Sequence, residues 1–175
     1  GRAMGTLSVL LHDLNVAPAV GSWIEASETL ELTTWQRANV RVIKRDFHRA
    51  RCLSSDFVRE QTEAVMASEQ QWRVSRSKND WQGMLPALKK VVSLTRQESV
   101  RRAENTGLST YDAMLDLYEP GVRSARIDTL FAPLKAELPS LVTAIIERQS
   151  AEAPILPLGH NFDVDAQRGT NCHRA

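Results

Sequence analysis

The chain has 175 residues, 42% hydrophobic and 25% charged, the balance of a globular domain rather than a disordered one. Twenty-two Lys and Arg against twenty-one Asp and Glu leave a formal charge of +1, so no net field gathers nucleic acid or anionic lipid, and neither is expected as a partner. The longest apolar runs, such as Leu7–Leu11 and Leu141–Ile146, fall far short of the roughly 20 residues of a bilayer span, so a soluble chain without membrane association is expected.

Residues 1–5 lack the long apolar core of a signal peptide and read as a cloning remnant outside the fold. A single helical domain is expected over 6–152, followed by an irregular tail over 153–175, in a cytoplasmic protein. Cys52 and Cys172 stand far apart without a CxxC partner, a pattern of reduced thiols rather than of a disulfide framework or a zinc ribbon.

Strong helix formers dominate, and alternating β-branched runs between turn signals are absent, so the period of 3.6 predicts an all-α fold of long antiparallel helices joined by short ones. Thr6–Leu14 and Ala19–Leu30 read as the first two helices, with a break at Asn15–Pro18; Trp23, Ile24 and Leu30 are candidate core. A third helix, Thr34 to about Arg51, carries Val40, Ile43, Phe47 and Ala50 on one stripe and Arg37, Arg41, Arg45 and Arg49 on another. Asp46 and Gln36 interleave with the arginines, so the second stripe reads as a solvated face rather than an anion site.

Leu53–Asp56 supplies an N-cap for a fourth helix reaching about Lys78, on which Val58, Val65 and Trp72 recur every seven residues, as in a helix packed lengthwise on an antiparallel neighbour. Asn79-Asp80 caps the fifth, with Pro86 near its start and Gly107 as a left-handed terminator. Ser109–Asp112 resembles a capping box opening a short helix, Tyr111–Tyr118, which Pro120-Gly121 ends. Ser124 to about Ala151 is amphipathic, and although Pro133 and Pro139 could bend or divide it, a long bent helix is expected.

Little here names a reaction. A zinc peptidase of the common type needs HExxH on a helix, because His at i and i+4 reach one metal while the Glu activates water, and that motif is absent. His12, His48, His160 and His173 have no helical His partner and read as ordinary surface or core residues. The tail collects His160, Asp163, Asp165, Cys172 and His173, but without a rigid helix to fix their geometry. No Gly-rich phosphate loop and no GxSxG occur.

The segment Tyr111-Asp112-Ala113-Met114-Leu115-Asp116-Leu117-Tyr118-Glu119-Pro120-Gly121, followed by Ile127–Lys135, resembles the YDxLLDxYEPG block of the carboxypeptidase Taq family of metallocarboxypeptidases. Asn39–Ala50 is similar to the family's NVRxIxRDxxRA helix, Trp72–Leu94 to the segment where an Asn-Asp pair precedes a helix, Leu11–Leu14 to LHEL, and Phe162–Arg168 to FxVxxQ. The resemblance implies a helical enzyme that uses zinc or a similar divalent metal to release C-terminal residues from peptide substrates, and that commonly pairs as a homodimer. An SWDxxTxMP-like segment and the HPF, DxRxT and HExxH motifs have no counterpart here. No metal ligand and no catalytic residue of the family therefore carries over, and the chain is expected to be a truncated, non-catalytic portion that holds no cofactor of its own.

Within the YDAMLDLYEPG block, packing of Tyr111, Leu115 and Tyr118 around a turn competes with a cleft role, in which Tyr111, Asp116, Tyr118 and Glu119 orient a peptide backbone. The alternative function is a helical interaction module that forms homo-oligomers through exposed apolar helix faces.

Overall fold

The computed structural model describes residues 1–152 and Asp163. Among them every regular element is a helix: α1 Arg2–Asn15, α2 Pro18–Ser27, α3 Thr34–Arg51, α4 Ser55–Ser77, α5 Trp81–Thr106, α6 Thr110–Leu115 and α7 Ser124–Ser150. The all-α expectation holds. The tail beyond Glu152, with His160, Asp165, Cys172 and His173, lies outside the described residues except for Asp163.

The helix starts follow local chemistry. Thr33 accepts from the Gln36 backbone N–H at 3.3 Å while the Gln36 side chain accepts from the Thr33 N–H at 3.0 Å, a reciprocal capping box. Ser54, Asp80 and Ser109 cap α4, α5 and α6 through the N–H groups of Phe57, Gly83 and Asp112. Pro18 opens α2, where a missing N–H costs nothing. Gly107 ends α5 at φ 71°, a conformation disfavoured by any Cβ.

Three features depart from the sequence expectations. First, α1 begins at Arg2 rather than Thr6, and Gly5 is buried, a Cβ there lying 3.0 Å from Glu63 Oε1 and 3.3 Å from Arg59 Cγ of α4. The absence of a side chain lets the two helices approach, so Gly5 packs against α4 rather than lying outside the fold. Second, α6 stops at Leu115, where the backbone tightens to i→i+3 bonds, the Leu117 N–H donating to the Met114 carbonyl and the Tyr118 N–H to the Leu115 carbonyl. Third, α7, one helix through both Pro133 and Pro139, is by length and composition alone long and apolar enough to cross a membrane, where the apolar runs predicted no span. Counting uninterrupted apolar runs missed this, since Lys135 and Glu137 are the only charges between Thr129 and Ile146.

The chain divides into two units, Gly1–Ser124 and the part beginning at Ala125. In the first, α4 is central and packs on both α1 and α5, α6 lies on α5, and α2 on α3. Met84 lines one groove with Trp72 near the α4–α5 turn, while Gln61 bonds Glu98 far from it, so α4 and α5 run in opposite directions. Leu53, Phe57 and Leu94 form the core, with Cys52, Val58 and Ala64 against it. Ile24 of α2 and Phe47 of α3 are also buried, and Gly21 of α2 admits the Phe47 ring.

A polar layer borders the core. Glu98, buried, accepts from Gln61 Nε2 at 2.5 Å and Arg102 Nε at 2.7 Å. Arg102 Nη1 donates to the Arg49 carbonyl at 2.9 Å, and the Arg101 guanidinium lies 4.0 Å from the centre of the Phe57 ring. In the second unit, no described residue of α7 is buried.

Candidate functional site

The YDAMLDLYEPG block folds into α6 and the turn after it. Ser109 Oγ accepts from the Asp112 N–H at 3.1 Å, which starts the helix. The Asp112 carboxylate accepts from the Ser124 N–H at 2.8 Å, tying the far end of the turn to α6. That bond holds its carboxyl below the ordinary carboxylate range.

Asp116 is the hub. Its Oδ2 accepts from Arg49 Nη2 at 2.6 Å, and its Oδ1 from the Gly121 N–H at 3.0 Å and Arg123 Nη1 at 2.9 Å. Arg49 Nη2 also reaches the Asp116 carbonyl. The Arg49 guanidinium, the Gly121 amide and Arg123 together hold the carboxyl far below the usual carboxylate range, against a smaller opposing effect of burial. Arg49 belongs to the arginine stripe expected to be solvated. Arg37 and Arg41 are indeed exposed, but Arg49 turns inward because its partner lies 67 residues further along the chain.

The other three candidates are placed differently. Tyr111 is 67% exposed and Tyr118 82% exposed, so neither packs the turn, and Glu119 is exposed beside Tyr118. Gly121, at φ 88°, lets the chain reverse so that its amide points back at Asp116. The result is a fixed loop presenting two phenols and one carboxylate, with Asp116 turned inward as its anchor. Arg49 and Arg123 are parts of this arrangement that sequence reading missed; Arg123 sits two residues after Gly121, which is the one local clue to its role.

The family model described as carboxypeptidase Taq (M32) metallopeptidase matches residues 1–174. The chain belongs to this family. Thermostable carboxypeptidase 1 of Pyrococcus furiosus is 35% identical over 148 residues, 83% of this chain and 29% of that protein. Thermostable carboxypeptidase 1 of Thermus thermophilus is 32% identical over 179 residues, 95% of this chain and 35% of that protein. The chain therefore spans about a third of the length of these relatives. Among solved structures, the Trypanosoma cruzi metallocarboxypeptidase 1 superposes with a TM-score of 0.74 at 35% identity, covering 98% of this chain and 35% of that one. The Pyrococcus furiosus carboxypeptidase, in its Apo-Mg structure, gives 0.73 at 29% identity over 98% and 34%.

Membership of a metallopeptidase family raises the question of which residues of this M32 chain fit a metal. Among the described residues no three His, Cys, Asp or Glu side chains converge as a ligand set. His12 is buried on the same side of α1 as Gly5, and His48 is exposed with its ring edge-on to Phe47 at 5.8 Å between centroids. Asp112 and Asp116 are spent on backbone amides and guanidinium groups. The described residues do not fit a catalytic metal.

Proposed function

We propose that this chain is the helical, non-catalytic portion of an M32 metallocarboxypeptidase whose whole releases C-terminal residues from peptides, and that alone it turns over no substrate. The observation that carries the reading is the coincidence of a family match across residues 1–174 with a sequence that contains no HExxH motif. Within the whole enzyme, the loop from Tyr111 to Gly121 lies beside the peptide. Tyr111, Tyr118 and Glu119 offer hydroxyl and carboxylate hydrogen-bonding groups to its backbone, and Asp116 holds them in place. The absence of a disulfide pattern supports a cytoplasmic location, and the two prolines and two charges within the apolar part of α7 favour protein over lipid around it.

The test is hydrolysis of a short N-blocked peptide by the chain, with added zinc or cobalt and with a chelator control. The expected outcome is no release of C-terminal residues under any condition. Metal-dependent release above background would overturn the reading. A second reading, an interaction module that pairs with another copy as a homodimer or higher homo-oligomer, is favoured by the half-exposed leucines of α1. Molar mass measured against concentration separates the two.

A further inference from the structure

Helix α1 is two-sided, and the wrong side is buried for a helix complete in itself. At about 100° per residue, Leu7, Leu10, Leu11 and Leu14 share about 100° of arc, while Gly5 and His12 lie on the opposite side. It is the Gly5 and His12 side that is buried, with Glu63 and Arg59 of α4 closing on Gly5 and Ser55 Oγ donating to Asp13 at 2.5 Å. The four leucines are 47%, 56%, 53% and 61% exposed. A helix normally buries its apolar stripe and exposes its polar one.

We infer that the leucine face of α1 is the docking surface for the part of an M32 fold that lies outside the segment matched here, whether on the same polypeptide or on a separate one. This rests on the family reading above. Two observations choose that occupant. The solved relatives superpose on 98% of this chain while it covers only 34–35% of theirs, so in those proteins about two thirds of the chain is available to pack against the equivalent helices. The leucine arc contains no charged residue, and Arg2 is the one Lys or Arg in α1, whereas a helix lying on anionic lipid flanks its apolar face with cations. A dry protein interior is what such a face fits.

The experiment co-expresses the full 175-residue chain with the remainder of the Thermus thermophilus relative, and compares it with a Leu7→Gln/Leu10→Gln/Leu14→Gln variant. The chain is expected to co-purify with the remainder as a one-to-one complex, with the variant bound at least tenfold more weakly while its helical circular dichroism is unchanged. Failure of the chain to bind a folded remainder, or equal binding by the variant, overturns the inference. So do leucine-dependent self-association that excludes the remainder and binding to anionic vesicles in its place.

Where the remainder does not fold alone, residues 1–175 are grafted over the matched segment of the same relative. The triple substitution is then expected to lower the melting temperature of the graft and leave that of the isolated chain unmoved; an equal effect on both overturns the inference. Peptide turnover by the isolated chain would sink the proposed function without touching this result, so the two fail separately.

Discussion

Replacing Asp116 by Ala removes the acceptor of three hydrogen bonds, two from guanidinium groups and one from the Gly121 amide. It also leaves Arg49, whose side chain is only 18% exposed, with only the more distant Asp46 carboxylate at 4.0 Å. Hydrogen bonds to charged groups contribute about 1.5–3 kcal/mol each, but Asp116 keeps 21% of its side chain in contact with solvent, and screening reduces each contribution. We expect a loss of about 3 kcal/mol in all, lowering the melting temperature by roughly 9 °C at about 3 °C per kcal/mol for a chain of this size. Thermal unfolding followed by circular dichroism measures it. A double-mutant cycle with Arg49→Met assigns the share of the ion pair, for which about 1–2 kcal/mol of coupling is expected. Coupling below about 0.5 kcal/mol would refute the claim that Asp116 and Arg49 anchor the turn.

The same carboxylate sets a pH dependence. Its folded-state pKa is depressed, so its contribution is complete above the unfolded value near about pH 4 and is lost as pH falls below that; Asp116→Asn should flatten the decline in melting temperature between about pH 4 and 2, and an unchanged slope would count against the geometry. Leu94, 1% exposed at the centre of the core, should cost about 2–4 kcal/mol as Ala, read from urea unfolding. Gly107→Ala, at φ 71°, should cost about 1 kcal/mol by the same measurement, because the left-handed conformation is strained for any residue with a Cβ. Tyr118→Ala, at 82% exposure, should change stability by less than about 0.5 kcal/mol; a larger loss would mean that the phenol packs rather than projects.

What the sequence made legible was chiefly local. Ser54, Asp80, Ser109 and Gly107 mark helix ends because a cap needs only neighbours three or four residues away, and the structure uses each as expected. Tertiary partners were not legible in the same way. Arg49 reads as one of four solvated arginines until Asp116, far along the chain, is brought to it. Asp116 reads as a cleft carboxylate until its oxygens are seen to be taken by Arg49, Gly121 and Arg123. Val65 and Trp72, read as a packing seam with Val58, remain 45% exposed each, because α4 divides its surface between α1 and α5. Gly5 carries no periodic signal at all, since its contribution is the absence of a side chain.

The buried Glu98 bears on alignment. The apolar side chains that α4 and α5 share, Phe57, Val65 and Trp72 with Met84, Val91 and Leu94, attract one another without directional demand. A slip of one helical turn, about 5.4 Å, would carry Glu98 away from Gln61 while it stayed in a desolvated position. Arg102 would travel with Glu98 on the same helix but lose the Arg49 carbonyl. One carboxylate thus adds a directional penalty for slippage to the non-directional apolar contact, and so helps fix how far α6, packed on the same helix, stands from the end of α3.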